Sequence, residues 1–181
     1  MQVIVKKGAD IPFKERRAIH KLWHDTFDPN NKYKPLDSND LVEDIFFIVK
    51  DKSKLLSVGA LETVFVKFRN KKYKLRGISS VVSVVERKGY GKMIMKKMIE
   101  YVKAKNLTAV SFCSRHNTPF YKKCGLCIAK DEVKRFVHKK KDETLEKNTD
   151  DRDVIYISED NKFMKDFLSH KKDLAYVPYF W

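Results

Sequence analysis

The feature that most restricts what this chain can become is a pair of long β-rich runs, Leu55–Phe68 and Tyr73–Val85, separated only by Arg69-Asn70-Lys71-Lys72. So short a connection predicts a hairpin, and therefore an antiparallel pair of strands. Directly after Val85 the apolar period changes. Glu86-Arg87-Lys88-Gly89-Tyr90-Gly91-Lys92 opens a segment whose Ile94, Met95, Met98, Ile99 and Val102 share one helical face. A long hairpin that runs through a basic, glycine-containing turn into an amphipathic helix belongs to the α/β class.

The flanks add shorter elements. Val3-Ile4-Val5 reads as a first strand, and apolar positions from Ile11 to Phe27 recur at helical spacing with Pro12 near the start. Asp28–Asn31 ends that helix, and a brief second helix is expected around Asp37–Glu43, capped by Asp37 or Ser38. Asp44–Val49 has the composition of a buried strand. Beyond the central helix, which Asn106 closes, Leu107–Cys113 reads as a strand and Thr118–Lys123 as a short helix stopped by Gly125. Leu126–Lys130 and Asp153–Ser158 return to β. The stretch His138–Asp153 is almost wholly charged or polar and reads as a mobile loop, while the end is aromatic-rich through Tyr176, Tyr179, Phe180 and Trp181. Strands alternate with helices without a doubly wound repeat, so the sheet is expected to be mixed.

Composition bounds the partners. The 181 residues suit a single domain, with a core segment of about 55–130 and the polar loop beyond it. Thirty-nine Lys and Arg against 24 Asp and Glu give a net charge of +15, a field that favours anionic partners. The start lacks the apolar core of a signal peptide and no run reaches transmembrane length, so no membrane partner is expected. Three cysteines cannot all pair within one chain, which agrees with a reducing, cytoplasmic setting. Cys124 and Cys127 form one CxxC, and His20 and His24 share a helix face. Neither arrangement shows further ligands, so no metal is expected.

The turn after Val85 is physically an anion site. Glycines let the backbone approach a ligand, exposed N–H groups at a helix start point at phosphate oxygens, and Arg87, Lys88 and Lys92 add positive charge. It lacks the ending of a Walker loop and the glycine spacing of a dinucleotide fingerprint. A second segment, Asn117-Thr118-Pro119-Phe120-Tyr121-Lys122-Lys123-Cys124-Gly125-Leu126, follows one helix and one strand later.

Together the two segments resemble the two cofactor motifs of the GNAT superfamily of acetyl-CoA-dependent N-acetyltransferases. The first is similar to its pyrophosphate loop and the second to its Asn-x-x-x-Phe-Tyr-x-x-x-Gly-Phe element, over roughly Leu55–Lys130. The resemblance implies a mixed, mostly antiparallel twisted sheet flanked by helices on both faces. It implies acetyl-CoA contacts at Val82, Ser83, Val84, Arg87, Lys88, Gly89, Tyr90, Gly91, Lys92 and Asn117. Glu86 stands where the family usually has Gln or Arg; either Arg87 takes that role by a one-residue shift, or backbone N–H groups carry it.

The implied chemistry is direct attack by a neutral amine on the thioester within a ternary complex, followed by protonation of the departing thiolate. Tyr121 is the implied acid, since a phenol near pKa ~10 can donate to a developing thiolate at small cost. Glu62 is the best-placed carboxylate for a base. Acidic residues of the first helices, with Trp23, Phe27 and Trp181 as aromatic faces, point to a small cationic amine as acceptor. A protein or peptide acceptor, and a basic nucleic-acid-binding protein on a degenerate acyltransferase scaffold, remain alternatives. Nucleic acid itself is not expected, because the run at Lys139–Lys141 is diluted by Asp142, Glu143 and Glu146. A homodimer is left open. The long hairpin, the late strand and the tail are similar to aminoglycoside 2′-N-acetyltransferases, although Ser80 stands where that subgroup would place an acid.

Overall fold

The expected hairpin is present. In the computed structural model, which describes residues 2–35, 37, 39–140, 143–148, 151–157 and 161–179, the chain runs in this order. First come β1 (Val3–Lys7), α1 (Phe13–Phe27), β2 (Ile45–Asp51), β3 (Lys54–Phe68), β4 (Lys71–Ser83) and α2 (Tyr90–Ala104). Then follow β5 (Ala109–Ser114), α3 (Thr118–Lys123), β6 (Cys127–Ala129), β7 (Phe136–Lys139) and β8 (Leu145–Lys147). The chain continues with β9 (Arg152–Ile157), α4 (Lys162–Ser169) and β10 (Ala175–Val177). Two compact units result, Met1–Glu62 with Ser79–Lys97 and Thr63–Ile78 with Met98–Trp181.

In the first unit β1 pairs antiparallel with β2, from Val3↔Val49 to Lys7↔Ile45, and β2 with the first half of β3. The apolar stripe of α1 buries Ile19 and Trp23 against Phe46, Ile48, Val58, Ala60 and Val82. Each such side chain contributes roughly 1.5–3 kcal/mol on full burial. Trp23 stacks on Phe46 with ring centroids 5.8 Å apart.

The helix expected at Asp37–Glu43 does not form; residues 39–43 are turns, and Ser38, a proposed cap, lies outside the described residues. The cause is distant in sequence. Gly8 N–H donates to the Asp44 carbonyl at 2.8 Å and Ala9 N–H to that of Val42 at 2.9 Å, so this segment serves a neighbouring strand end instead of its own helix. Leu41 takes a left-handed φ of 60°, which also breaks a helix.

In the second unit the strands follow the order β6-β9-β5-β4-β3-β10-β7-β8. The β4–β5 and β7–β10 pairings are parallel, and β3–β10, β5–β9, β6–β9 and β7–β8 are antiparallel. The fold is thus α/β with a mixed, mostly antiparallel sheet. Its core gathers Phe68, Phe112, Phe136, Phe163 and Phe167 with Val64, Val66, Leu75 and Val154. Phe163 and Phe167 come from α4, capped by Asn161, whose side chain accepts from Met164 N–H at 2.9 Å. Buried Arg135 holds the far end of α4 by donating to the carbonyls of Phe167 and His170 at 2.9 and 2.7 Å.

The stretch read as a mobile loop contains a hairpin. Val137↔Lys147, His138↔Glu146 and Lys139↔Leu145 pair β7 with β8. Exposed ion pairs accompany it, Lys139 with Glu143 at 3.0 Å and Lys140 with Glu146 at 3.5 Å. Cross-strand opposite charges support a hairpin as apolar pairs do, more weakly. No described helix is long and apolar enough to cross a membrane.

Candidate active site

The first unit holds the turn expected to bind an anion. β4 ends at Ser83, and Val84 through Gly89 are exposed before α2 begins at Tyr90. Two residues of the turn, Arg87 at φ 59° and Gly89 at φ 81°, adopt left-handed backbone. That conformation costs Gly nothing and turns the chain sharply onto the start of α2. Met93 N–H donates to the Gly89 carbonyl at 3.1 Å, the first bond of the helix. The N–H groups of Tyr90, Gly91 and Lys92 precede that bond and have no intrahelical acceptor. They lie among Arg87, Lys88 and Lys92, so the turn offers both aligned donors and charge to a phosphate.

β4 itself is more selective than its sequence suggests. Val84 N–H donates to the Leu56 carbonyl at 2.9 Å, and the Val82 carbonyl accepts from Ser57 Oγ at 2.7 Å. Successive residues of a strand direct their polar groups to opposite edges. Of Val82, Ser83 and Val84, therefore, Ser83 is the one whose backbone groups turn away from β3. Ser83 Oγ is 3.0 Å from Ser57 Oγ. Farther back, Ser80 has a left-handed φ of 53°, a bulge-like irregularity that its β-rich surroundings do not announce.

The second unit holds Asn117 and Tyr121. Asn117 occupies the N-cap of α3, yet its side chain makes no capping bond. The start of α3 is held instead by Thr118, whose Oγ1 donates to buried Asp153 Oδ2 at 2.9 Å, leaving the exposed Asn117 amide facing solvent. Gly125 at φ 95° ends the helix as expected. Tyr121 is half-buried. Burial, with the Cys113 and Cys124 thiols beside it, pushes its phenol up to about 12. Cys113 is also pushed up by burial. Tyr121 is therefore a more reluctant acid than an ordinary phenol, and one that stays protonated well above neutral pH.

The remaining candidates separate. Glu62 is half-buried on β3. Phe27, at the end of α1, is 58% exposed, whereas Trp23 is 8% exposed and its ring belongs to the core. Trp23 is therefore corrected from an acceptor-facing ring to a packing residue, because its position on the apolar stripe of α1 turns it onto Phe46. Trp181 lies outside the described residues. Among the acids, Asp25 pairs with Lys21 at 2.8 Å and Asp40 accepts from Asp37 N–H at 2.8 Å. Among the described residues no cluster of three or more His, Cys, Asp or Glu could hold a metal. Asp153, which anchors the start of α3 through Thr118, was invisible in the sequence: a lone Asp at a strand start carries no signal until β9 pairs Asp153 with Cys113.

Comparison with known proteins bears on the fold and the family. An acyl-CoA N-acyltransferase from Pseudomonas aeruginosa superposes with a TM-score of 0.59 at 17% identity, covering 87% of this chain and 100% of its own. Escherichia coli ElaA gives 0.61 at 13%, covering 87% and 99%, and an N-acetyltransferase from Staphylococcus aureus Mu50 gives 0.59 at 16%, covering 87% and 98%. At such identities these likenesses speak for the fold alone. No curated protein matches the sequence closely. The family model for the acetyltransferase (GNAT) domain, however, matches residues 11–129, about two-thirds of the chain and both motif segments, and the protein belongs to the GNAT acetyltransferase family.

Proposed function

We propose that this protein transfers the acetyl group of acetyl-CoA to the amine of a small, cationic molecule by direct attack within a ternary complex. The observation that carries the reading is the turn at Arg87–Gly89. Its left-handed residues lead into the start of α2, where three N–H groups lack intrahelical acceptors and Arg87, Lys88 and Lys92 stand in the same stretch, donors and charges suited to an anion. In this reading the turn binds the pyrophosphate and Asn117 contributes its side-chain amide. The Ser83 backbone receives the thioester arm, and Tyr121 supplies the proton for the leaving sulfur. Glu62 is the proposed base that takes the proton from an ammonium acceptor.

The acceptor side is supported by exposed Phe27 and the carboxylates around the end of α1. Lys21 holds the Asp25 carboxyl below its usual range, so Asp25 stays ionised through mildly acidic pH. A carboxylate and an open ring face suit a compact cation.

Calorimetric titration of acetyl-CoA tests the turn. Gly91→Glu places a negative side chain among the phosphate donors and is expected to abolish binding that the wild type shows. Unchanged affinity in that variant removes the phosphate assignment. A turnover screen with polyamines, amino sugars and peptides tests the acceptor, with acetylation of peptides alone overturning the small-amine reading.

A further inference from the structure

A basic, ring-bearing surface lies in the second unit, on the side of the sheet opposite α4. The sixteen residues Thr63–Ile78 contain six Lys or Arg and no Asp or Glu. Strand alternation sorts these charges. Val64, Val66 and Phe68 of β3, Leu75 of β4, and Ala175 and Val177 of β10 all belong to the core beneath α4. Side chains of a strand alternate between faces, so Phe65, Lys67, Lys72, Lys74, Arg76 and Tyr176 share the outer one. Register agrees, since Tyr176 lies directly opposite Lys67. Arg69 and Lys71, at the hairpin turn, pair instead with Asp166, each at 3.8 Å.

Two aromatic rings stand open on this basic face. Phe65 is 46% exposed and Tyr176 37% exposed. Lys72 Nζ sits 4.6 Å from the Phe65 ring centroid. Phe65, Lys67, Lys71, Lys72, Tyr176 and Pro178 line a groove of about 420 Å³. A face built only for solubility would carry both signs of charge and keep its rings inward. This one combines ring faces with cations, and no acid lines the groove among the described residues.

We propose that this face binds single-stranded nucleic acid without strong sequence preference. Phe65 and Tyr176 stack bases, and Lys67, Lys72 and Lys74 neutralise phosphates. Charge complementarity selects a polyanion, and the exposed rings select one with flat aromatic units over an acidic peptide. Searching the sequence for a basic run misses this surface, because strand alternation, not adjacency, brings its cations together. None of its residues belongs to the proposed acyl-transfer machinery.

The test is fluorescence anisotropy with labelled 12-nucleotide oligouridylate and oligothymidylate, titrated at several salt concentrations. Poly-glutamate peptide and phosphatidylserine vesicles run in parallel. The wild type is expected to bind the oligonucleotides, with affinity falling as salt rises. Phe65→Ala with Tyr176→Ala should weaken binding by about 10- to 100-fold with the salt slope retained. Lys67→Gln, Lys72→Gln and Lys74→Gln together should lower that slope by about 2, at ~0.7 per phosphate contact on single strands. Unchanged acetyl-CoA affinity checks that each variant is folded. Phe65→Leu with Tyr176→Leu keeps apolar area while removing the ring faces, and should weaken binding in the same way. The proposal is overturned if the ring variants bind as the wild type does. It is equally overturned if no oligonucleotide binds, or if the peptide or vesicles bind as tightly.

Discussion

Replacing Tyr121 by Phe removes one hydroxyl from a half-buried ring and tests where the proton for the leaving thiolate originates. The phenol is raised to about 12. An alkyl thiol in water lies near ~8.5, so complete transfer from this phenol to a solvated thiolate would run uphill by ~4.8 kcal/mol, at ~1.36 kcal/mol per tenfold. The same dry surroundings act on sulfur too, as the raised Cys113 thiol shows. A thiolate leaving there is a stronger base than in water, which narrows the gap. In its proposed role Tyr121 would therefore donate as the carbon–sulfur bond breaks, not before. A positioned acid contributes about 10²–10⁴-fold, and a reluctant one belongs at the low end. The expected loss is ~10²-fold in single-turnover rate, or ~2.7 kcal/mol of barrier, with acetyl-CoA affinity unchanged. Because the phenol stays protonated, the wild-type rate should rise with pH as the amine deprotonates and show no descending limb below about pH 10.5. Full activity in Tyr121→Phe would refute the assignment. A descending limb near pH 10 that vanishes in the variant would refute the raised phenol.

Two stability predictions follow from the first unit. In Gly8→Ala the new Cβ would lie 1.8 Å from the Leu41 carbonyl oxygen, a backbone atom that cannot swing aside. Relief would strain the Gly8–Asp44 and Ala9–Val42 bonds and the 2.7 Å bond from buried Arg16 to the Gly8 carbonyl, a loss of about 3–5 kcal/mol in urea unfolding. A change below ~1 kcal/mol would show that the Leu41–Asp44 turn yields freely. His20 lies 3.4 Å from the Tyr33 hydroxyl, and burial, followed by neighbouring His24, lowers its pKa from 6.5 while Asp40 opposes the shift. The folded state thus favours neutral His20, and this contribution is full above pH 6.5 and fades as pH falls below it. Protection factors of the Asn31–Tyr33 amides, corrected for the slower intrinsic exchange at low pH, should fall on acidification, and His20→Gln should flatten that dependence; an unchanged dependence would remove His20 from the cause.

Where a residue's own conformational demand or a long periodic face decides the structure, the sequence alone was enough. Gly89 and Gly125 adopt the left-handed backbone their positions imply, α1 and α2 follow their apolar stripes, and the hairpin follows its two β-rich runs. The family motifs were legible for the same reason, since a phosphate turn is built from contiguous residues. Even α4 carried a local signal, with Asn161 as cap and Phe163, Met164 and Phe167 at helical spacing, but its eight residues are too few to stand out from a lysine-rich background.

Only the tertiary structure decided matters that depend on partners distant in the chain. Asp37–Glu43 has the residues of a helix, yet Gly8 and Ala9 take the Asp44 and Val42 carbonyls. The polar stretch after His138 pairs as β7 and β8, bringing Lys140 to Glu146 across the hairpin. Trp23 and Phe27 lie four apart on one helix, and packing against Phe46 buries the first while the second stays open. Asp153 reaches Thr118 only because β9 lies beside β5. Periodicity says which side chains share a face. What that face meets, and which hydrogen-bonding groups are already taken, is settled by contacts that close long loops, and no local pattern encodes them.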